Sequence, residues 1–132
     1  MTGLDTNVLI RFLTQDDDAQ AKIATNYIGE NCSEEKPAYV CHVVLCELVW
    51  VLESNYQQAK ETIVLLIEEL LQISQLEIME SESVWRALSD FKKSNADFAD
   101  HLVANTNLAN GCSTTVTFDK KAGKQPLSTL LK

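Results

Sequence analysis

Apolar residues follow two different spacings along the chain. In the longer stretches they recur every three or four positions, which predicts helices with one buried face. These stretches are TNVLIRFL, AQAKIATNYI, LCELVWVLES, AKETIVLLIEELLQI, SVWRALSDFKKS and DFADHLVANTNLANG, the last of them closed by Gly111. The shorter runs predict strands. They are TGLD, AYVCHVV, LEIM and CSTTVTFD, followed by LSTLL as a short final element.

Predicted strands and helices alternate along the chain. This order is typical of βαβ units, so we expect an α/β fold with a central parallel sheet covered by helices. In such sheets ligands bind beyond the carboxyl ends of the strands. Asp5 and Asp119 both follow directly on predicted strands, which makes both of them candidate site residues. Asp5 could equally cap the helix that follows it.

The bulk properties are those of a globular protein. A length of 132 residues with 45% hydrophobic and 23% charged residues suits a single domain over residues 1–132. No apolar run reaches the roughly 18 residues needed to cross a bilayer, and no secretion signal is evident. The four cysteines are scattered without a CxxC pair, so we expect reduced thiols and a cytoplasmic location, with no membrane partner.

Glu47 is out of place in the apolar helix VVLCELVWVL. Apolar residues occupy nearly every face of this helix, so we expect the carboxylate to be buried. A buried ionised carboxylate is costly unless it has a partner. That partner is either a base such as Arg11, in a buried salt bridge, or a metal ion or another functional group.

Two further acids, Asp97 and Asp100, stand three residues apart in ADFADHLVA. This spacing places them on one helix face near the helix N-terminus, where negative charge is favoured. Capping explains Asp97 well and Asp100 less well, because the core-facing residues follow directly. The acidic run at residues 16–18 is interpreted as the solvated start of a helix rather than a metal site.

Together these acids indicate a metal site. Asp5, Glu47, Asp100 and Asp119, with Asp97 as a further candidate, come from separate segments. Carboxylates that meet in one pocket repel each other unless a cation neutralises them. Hard divalent ions such as Mg²⁺ or Mn²⁺ prefer such oxygen ligands, and they can activate water for attack on a phosphodiester.

Four motifs in this order resemble those of PIN-domain ribonucleases of the VapC type, the toxins of type II toxin–antitoxin pairs. The motifs are LDTNVLIRFL, VLCELVWVL, DFADHLVANTNLANGC and TFDKKA, which run from residue 4 to residue 122. The resemblance implies a PIN-like three-layer α/β/α fold and a Mg²⁺-dependent (or Mn²⁺-dependent) endoribonuclease. It also implies an RNA substrate, a homodimer and inhibition by a cognate antitoxin protein.

The same resemblance assigns roles to individual residues. Asp5 and Asp100 would be the principal metal ligands. Glu47 and Asp119 would complete the acidic site and orient the attacking water, while Asp97 matches an acid found in only part of the family. Polar side chains would support the site through hydrogen bonds; these are Thr6, Asn7 and Thr117.

Two alternatives belong to other classes of protein. An aspartate-based phosphatase needs a second Asp two residues after the first, where this chain has Asn7. A catalytically silent PIN-fold module for binding or dimerisation would be expected to lack some of the acids, and here none is missing.

The formal net charge of −8 argues against broad, nonspecific binding of nucleic acid. Without the five candidate acids the balance is 14 acids against 11 bases. Six of these bases lie close in sequence to a candidate acid, and we expect them to form either a basic rim that holds RNA phosphates or ordinary solvated side chains. They are Arg11, Lys92, Lys93, Lys120, Lys121 and Lys124.

The sequence also contains two histidines and two tryptophans. His42 lies in a predicted strand and His101 beside Asp100, and we expect a structural rather than a catalytic role for both. Trp50 and Trp85 are interpreted as core or dimer-interface residues rather than platforms for stacking bases.

Overall fold

The computed structural model of the protein describes residues 1–132 and divides them into two compact units, residues 1–79 and residues 80–132. The first unit contains β1 (Thr2–Gly3), α1 (Thr6–Thr14), α2 (Asp18–Asn31), β2 (Ala38–Val40), α3 (His42–Ser54), α4 (Lys60–Leu71) and β3 (Leu76–Ile78). The second contains α5 (Ser81–Lys92), α6 (Phe98–Ala109), β4 (Thr115–Thr117), α7 (Lys120–Gly123) and β5 (Ser128–Leu130).

The first unit is built on a parallel sheet with the strand order β1-β2-β3. Ala38 of β2 pairs with Thr2 on one side and with Leu76 on the other. Parallel strands place their carboxyl ends at the same edge, so Asp5 and the start of α3 both lie beyond that edge. The apolar faces of α1, α3 and α4 supply fully buried side chains, among them Leu9, Leu48 and Ile67.

The second unit pairs β4 with β5, also in parallel, and packs α5 against α6. Phe91 and Phe98 join the two helices in an edge-to-face contact, with ring centroids 6.0 Å apart. The amide of Asn107 donates to the Thr115 hydroxyl at 2.9 Å and so links α6 to β4. The α/β class with parallel strands is therefore confirmed in both units.

Several elements differ from the predicted ones. β2 ends at Val40 because α3 begins at His42, so the prediction that His42 lies in a strand is wrong. β4 covers only Thr115–Thr117, and the short helix α7 was not predicted. The final element is a strand, β5. Both residues of β1, Thr2 and Gly3, are exposed. No helix combines the length and apolar character needed to span a membrane.

Candidate active site

Asp5 lies between β1 and α1 and caps the helix. Its Oδ1 accepts a hydrogen bond from the Thr6 N–H at 2.7 Å, and its backbone is extended, as at a helix N-cap. The side chain is exposed, and Oδ2 has no hydrogen-bond partner within the protein. The capping role is therefore real, and it leaves one carboxylate oxygen free for a ligand.

Glu47 lies on α3 and accepts a hydrogen bond from the Thr6 hydroxyl through Oε1. The expectation that Glu47 is buried is wrong, because the side chain is exposed. Val43 and Trp50, one turn to either side on the same helix face, are 76% and 63% exposed. This apolar stripe faces away from the core, so the carboxylate stays hydrated. The alternative of a salt bridge with Arg11 also fails, since Arg11 pairs with Asp16.

These residues line one open depression in the first unit, here called the α1–α3 depression. Its volume is about 440 Å³, within the roughly 300–1,000 Å³ of small-molecule sites. Its lining residues are Asp5, Thr6, Asn7, Ile10, Arg11, Glu47, Val51, Asn55 and Tyr56. Two of the predicted acids are thus brought together, and the hydroxyl of Thr6 lies between the backbone cap and Glu47.

Asp97 and Asp100 form the N-terminus of α6. Asp97 is the N-cap residue, and Oδ2 of Asp100 accepts a hydrogen bond from the Asp97 backbone N–H at 3.4 Å. Asp97 is exposed, whereas Asp100 is half-buried. Capping therefore accounts for the position of both acids, although the sequence favoured this role less for Asp100 than for Asp97.

Asp119 follows β4 and caps the short helix α7. Its Oδ1 accepts from the Ala122 N–H at 2.8 Å, while its own backbone N–H donates to the Thr117 hydroxyl at 3.0 Å. Asp119 and the two α6 acids line a second open depression in the second unit, here called the α6–α7 depression. Its lining residues are Asp97, Asp100, Phe118, Asp119, Lys120 and Lys121.

The electrostatics of this depression disfavour the ionised form of Asp100. Partial burial raises the pKa of the Asp100 carboxyl, and the negative charges of Asp119 and Asp97 raise it further. The hydrogen bond from the Asp97 N–H opposes this rise. A cation bound beside Asp100 would relieve the repulsion among these acids, so the local charge pattern fits a metal ligand.

The five candidate acids are therefore divided into two sets, one in each unit. Within neither unit do three or more His, Cys, Asp or Glu side chains form a group that could hold a metal ion by themselves. The donors are hard carboxylate oxygens with a hydroxyl or lysine ammonium groups nearby. This chemistry suits Mg²⁺ or Mn²⁺, which take few protein ligands and keep several waters.

Neither histidine lies in these two depressions. His42 has Nε2 2.6 Å from the carbonyl oxygen of Met79, and buried His101 pairs through Nε2 with the Ser94 hydroxyl. Trp50 and Trp85 are 63% and 38% exposed, so the core alternative is wrong for both, whereas a place in a dimer interface stays a prediction.

Sequence reasoning missed the side chains that complete the α1–α3 depression. Asn55 and Tyr56 follow the C-terminus of α3, in the connection to α4. Tyr56 OH donates to Oδ2 of Asp16 at 2.8 Å, although the two residues are 40 positions apart. No local signal in the sequence marks such a pair.

The model of the PIN domain family matches residues 4–125, a range that contains all five candidate acids. No curated protein matches the chain.

Proposed function

This chain belongs to the PIN domain family, and from that premise we propose that it is a Mg²⁺- or Mn²⁺-dependent endoribonuclease. PIN domains are generally metal-dependent nucleases, and they typically use divalent metals. RNA as the substrate and the role of a VapC-type toxin are supported by the resemblance of the four sequence motifs.

The observation that carries the proposal is the environment of Asp100. Its carboxyl is half-buried, and this partial burial, followed by the charges of Asp119 and Asp97, raises its pKa. Acids kept close together at a cost in free energy are typical of functional sites. Lys120 and Lys121 line the same depression, and they can attract a phosphate group without replacing the metal.

Each residue has a proposed task in hydrolysis of a phosphodiester. The resemblance of the motifs assigns the role of metal ligand to Asp5 and to Asp100, and within the second unit the Asp97 backbone N–H would support Asp100. When bound, the metal would lower the pKa of the attacking water and stabilise negative charge on the oxygens of the scissile phosphate, while the bond from phosphorus to the leaving oxygen breaks. Glu47, held by the Thr6 hydroxyl, and Asp119 would orient the attacking water and accept its proton.

The partners are proposed on the same basis. A cognate antitoxin would inhibit the enzyme, and two copies of the chain would form a homodimer in the cytoplasm. Its four cysteines are free thiols, as expected of a protein in a reducing compartment. Restored growth of an expression host when the toxin gene is co-expressed with its neighbouring antitoxin gene tests the toxin role. Analytical ultracentrifugation tests the dimer.

The experiment that tests the enzymatic proposal is cleavage of a fluorescently labelled RNA by the metal-free protein after addition of Mg²⁺ or Mn²⁺. We expect cleavage only with metal, reduced about 100-fold or more in Asp100→Asn and Glu47→Gln. Glu35→Gln is the matched control, because this exposed acid precedes β2 at the opposite edge of the sheet. Full activity without metal, or no activity under any condition, overturns the proposal.

The same variants test whether both sets of acids serve one reaction. We expect the double variant Glu47→Gln and Asp100→Asn to lose little more activity than either single variant, because residues that act as a unit are not additive. A rise in melting temperature with metal but no cleavage of any RNA favours the catalytically silent module instead.

A further inference from the structure

Arg11 lies at the centre of a hydrogen-bond network at the rim of the α1–α3 depression. Its Nε donates to the side-chain oxygen of Gln20 at 2.7 Å, and its Nη1 donates to Oδ1 of Asp16 at 3.1 Å. Tyr56 OH donates to the other oxygen of Asp16 at 2.8 Å and lies 3.5 Å from Nη1 of Arg11. The guanidinium plane is therefore held from several sides, by residues of α2, of the α1–α2 connection and of the α3–α4 connection.

Stability alone does not account for this arrangement. The Arg11 and Asp16 side chains are 31% and 42% exposed, and exposed ion pairs contribute little to folding. The network fixes the orientation of the Arg11 side chain, which would otherwise sample many rotamers. A guanidinium held in advance loses less conformational entropy when it binds a ligand.

The network leaves part of the guanidinium available. Nε and Nη1 have partners, whereas Nη2 donates to no protein group. Asn7 lies one turn before Arg11 on the same face of α1, and both side chains line the depression that holds Asp5 and Glu47. The Arg11 side chain therefore lies among the residues that line a depression containing carboxylates, where a phosphate group would be repelled unless a cation is present.

We propose that Arg11 binds a phosphate group of the RNA substrate that neighbours the scissile bond, with Asp16, Gln20 and Tyr56 as positioning residues. This inference rests on the proposed function. A planar guanidinium is suited to phosphate oxygens because it donates in a fixed fork. A positive charge held at one fixed position would also suit a chain whose net charge of −8 disfavours broad binding of nucleic acid.

The test compares Arg11→Gln with Lys36→Gln by steady-state cleavage of a labelled, single-stranded RNA of mixed sequence. Both substitutions remove one positive charge. Lys36 is exposed and precedes β2, at the sheet edge opposite to Asp5, so it serves as the matched control. KM, kcat and kcat/KM are measured with Mg²⁺ between about 50 and 200 mM salt, because each phosphate contact to a single strand adds about 0.7 to the slope of log affinity against log salt.

We expect Arg11→Gln to raise KM about tenfold with little change in kcat, and to lower the salt slope of kcat/KM by about 0.7. Lys36→Gln should keep both values close to those of the wild type. Arg11→Lys should keep the salt slope and raise KM several-fold, because an ammonium group lacks the fork. Tyr56→Phe leaves the charge in place, so it should raise KM without altering the slope.

Several outcomes overturn the inference. If the wild type cleaves RNA and Arg11→Gln matches Lys36→Gln in KM and in salt slope, Arg11 does not contact phosphate, while the proposed function stands. Circular dichroism shows whether Arg11→Gln folds. If it does not fold, an unchanged KM in both Arg11→Lys and Tyr56→Phe overturns the inference that Arg11 binds phosphate. A wild type that cleaves no RNA overturns the proposed function and this inference together.

Discussion

The hydroxyl of Thr6 donates a hydrogen bond to Oε1 of Glu47, across 41 positions of the chain. Thr6 is the first residue of α1 and only 6% exposed, whereas Glu47 is exposed on α3. The backbone N–H of Thr6 donates a second hydrogen bond, to Oδ1 of Asp5. Thr6 therefore orients two candidate catalytic carboxylates at once, one through its backbone and one through its side chain.

Thr6→Val should separate these two functions. Valine keeps the shape and the backbone cap but removes the donor to Glu47, so we expect kcat to fall by about 10-fold and the free energy of unfolding by about 1 kcal/mol. Cleavage kinetics and urea denaturation measure these effects. Thr6→Ser, which keeps the hydroxyl, should recover most of the activity. A fully active Thr6→Val protein would mean that Glu47 needs no orientation by Thr6.

Asp100→Asn should stabilise the protein in the absence of metal. The pKa of the Asp100 carboxyl is raised in the folded state, so folding favours its protonated form and its charge weakens the fold at neutral pH. Asparagine can still accept the Asp97 N–H and carries no charge. We expect a melting temperature about 1–3 °C higher at pH 7 in EDTA.

The pH dependence of this stability difference provides a control. Below pH 3.8, the pKa of the carboxyl in the unfolded chain, Asp100 is protonated in both states and does not weaken the fold. As the pH rises through the raised pKa of the folded state, the carboxyl ionises and the folded protein loses this stability. The difference between Asp100→Asn and the wild type should therefore shrink as the pH falls towards 3.8. Added Mg²⁺ or Mn²⁺ should stabilise the wild type more than the variant, and equal metal responses would remove Asp100 from the ligands.

Asp16 should show the opposite dependence on pH. Hydrogen bonds from Thr14 and Tyr56 lower the pKa of the Asp16 carboxyl from 3.8 to about 2, and the bond from Arg11 adds to them. The ionised Asp16 carboxyl therefore stabilises the fold above pH 3.8, and this stability is lost as the pH falls through about 2. Asp16→Asn should therefore unfold at lower urea than the wild type at pH 6, with a difference that narrows over this acidic window.

Asp18→Asn is the control for that measurement. It removes the same charge two positions away, and no hydrogen bond reaches the Asp18 side chain in the structure. If Asp16→Asn and Asp18→Asn follow one pH curve, the network around Arg11 is not formed in solution.

Gly123→Ala should destabilise the second unit. A Cβ at this position would lie 2.7 Å from Cβ of Leu130 and 3.1 Å from its Cα, so α7 and β5 would have to move apart. We expect a loss of about 1–3 kcal/mol in urea denaturation. Gly29→Ala is the matched control, because a Cβ there meets nothing within 4 Å, and helix propensity should make it stabilising by up to about 1 kcal/mol. Equal effects of the two substitutions would contradict the close packing of α7 on β5.

Several features of this protein could be predicted from the sequence because they depend on neighbouring residues. Two helices, α1 and α2, begin at acids that cap them, because Asp5 and Asp17 accept hydrogen bonds from backbone N–H groups within three positions. The alternation of strands and helices predicted a parallel α/β fold, which the strand pairing and the family match confirm. The metal ligands and the roles of the five acids stay predictions.

The wrong predictions concern features that depend on contacts between residues far apart in the sequence. The apolar residues around Glu47 predicted that its side chain is buried. This face of α3 is instead exposed, and the Glu47 carboxylate accepts a hydrogen bond from Thr6. β2 stops at Val40 because α3 begins after one residue, although the β-branched run continues. A short apolar run is compatible with either a strand or a buried helix, and only packing chooses between them.

By itself, then, the sequence determined the class of the fold, the acids at the starts of α1, α2 and α6 and the order of the acids along the chain. Each of these depends on local backbone chemistry or on periodicity. The tertiary structure alone decided which side chains share a depression and which partner each charge finds, as in the pairing of Arg11 with Asp16 and Tyr56 rather than with Glu47. Such contacts join residues up to 45 positions apart, and only the packing of helices on a sheet brings them within hydrogen-bond distance.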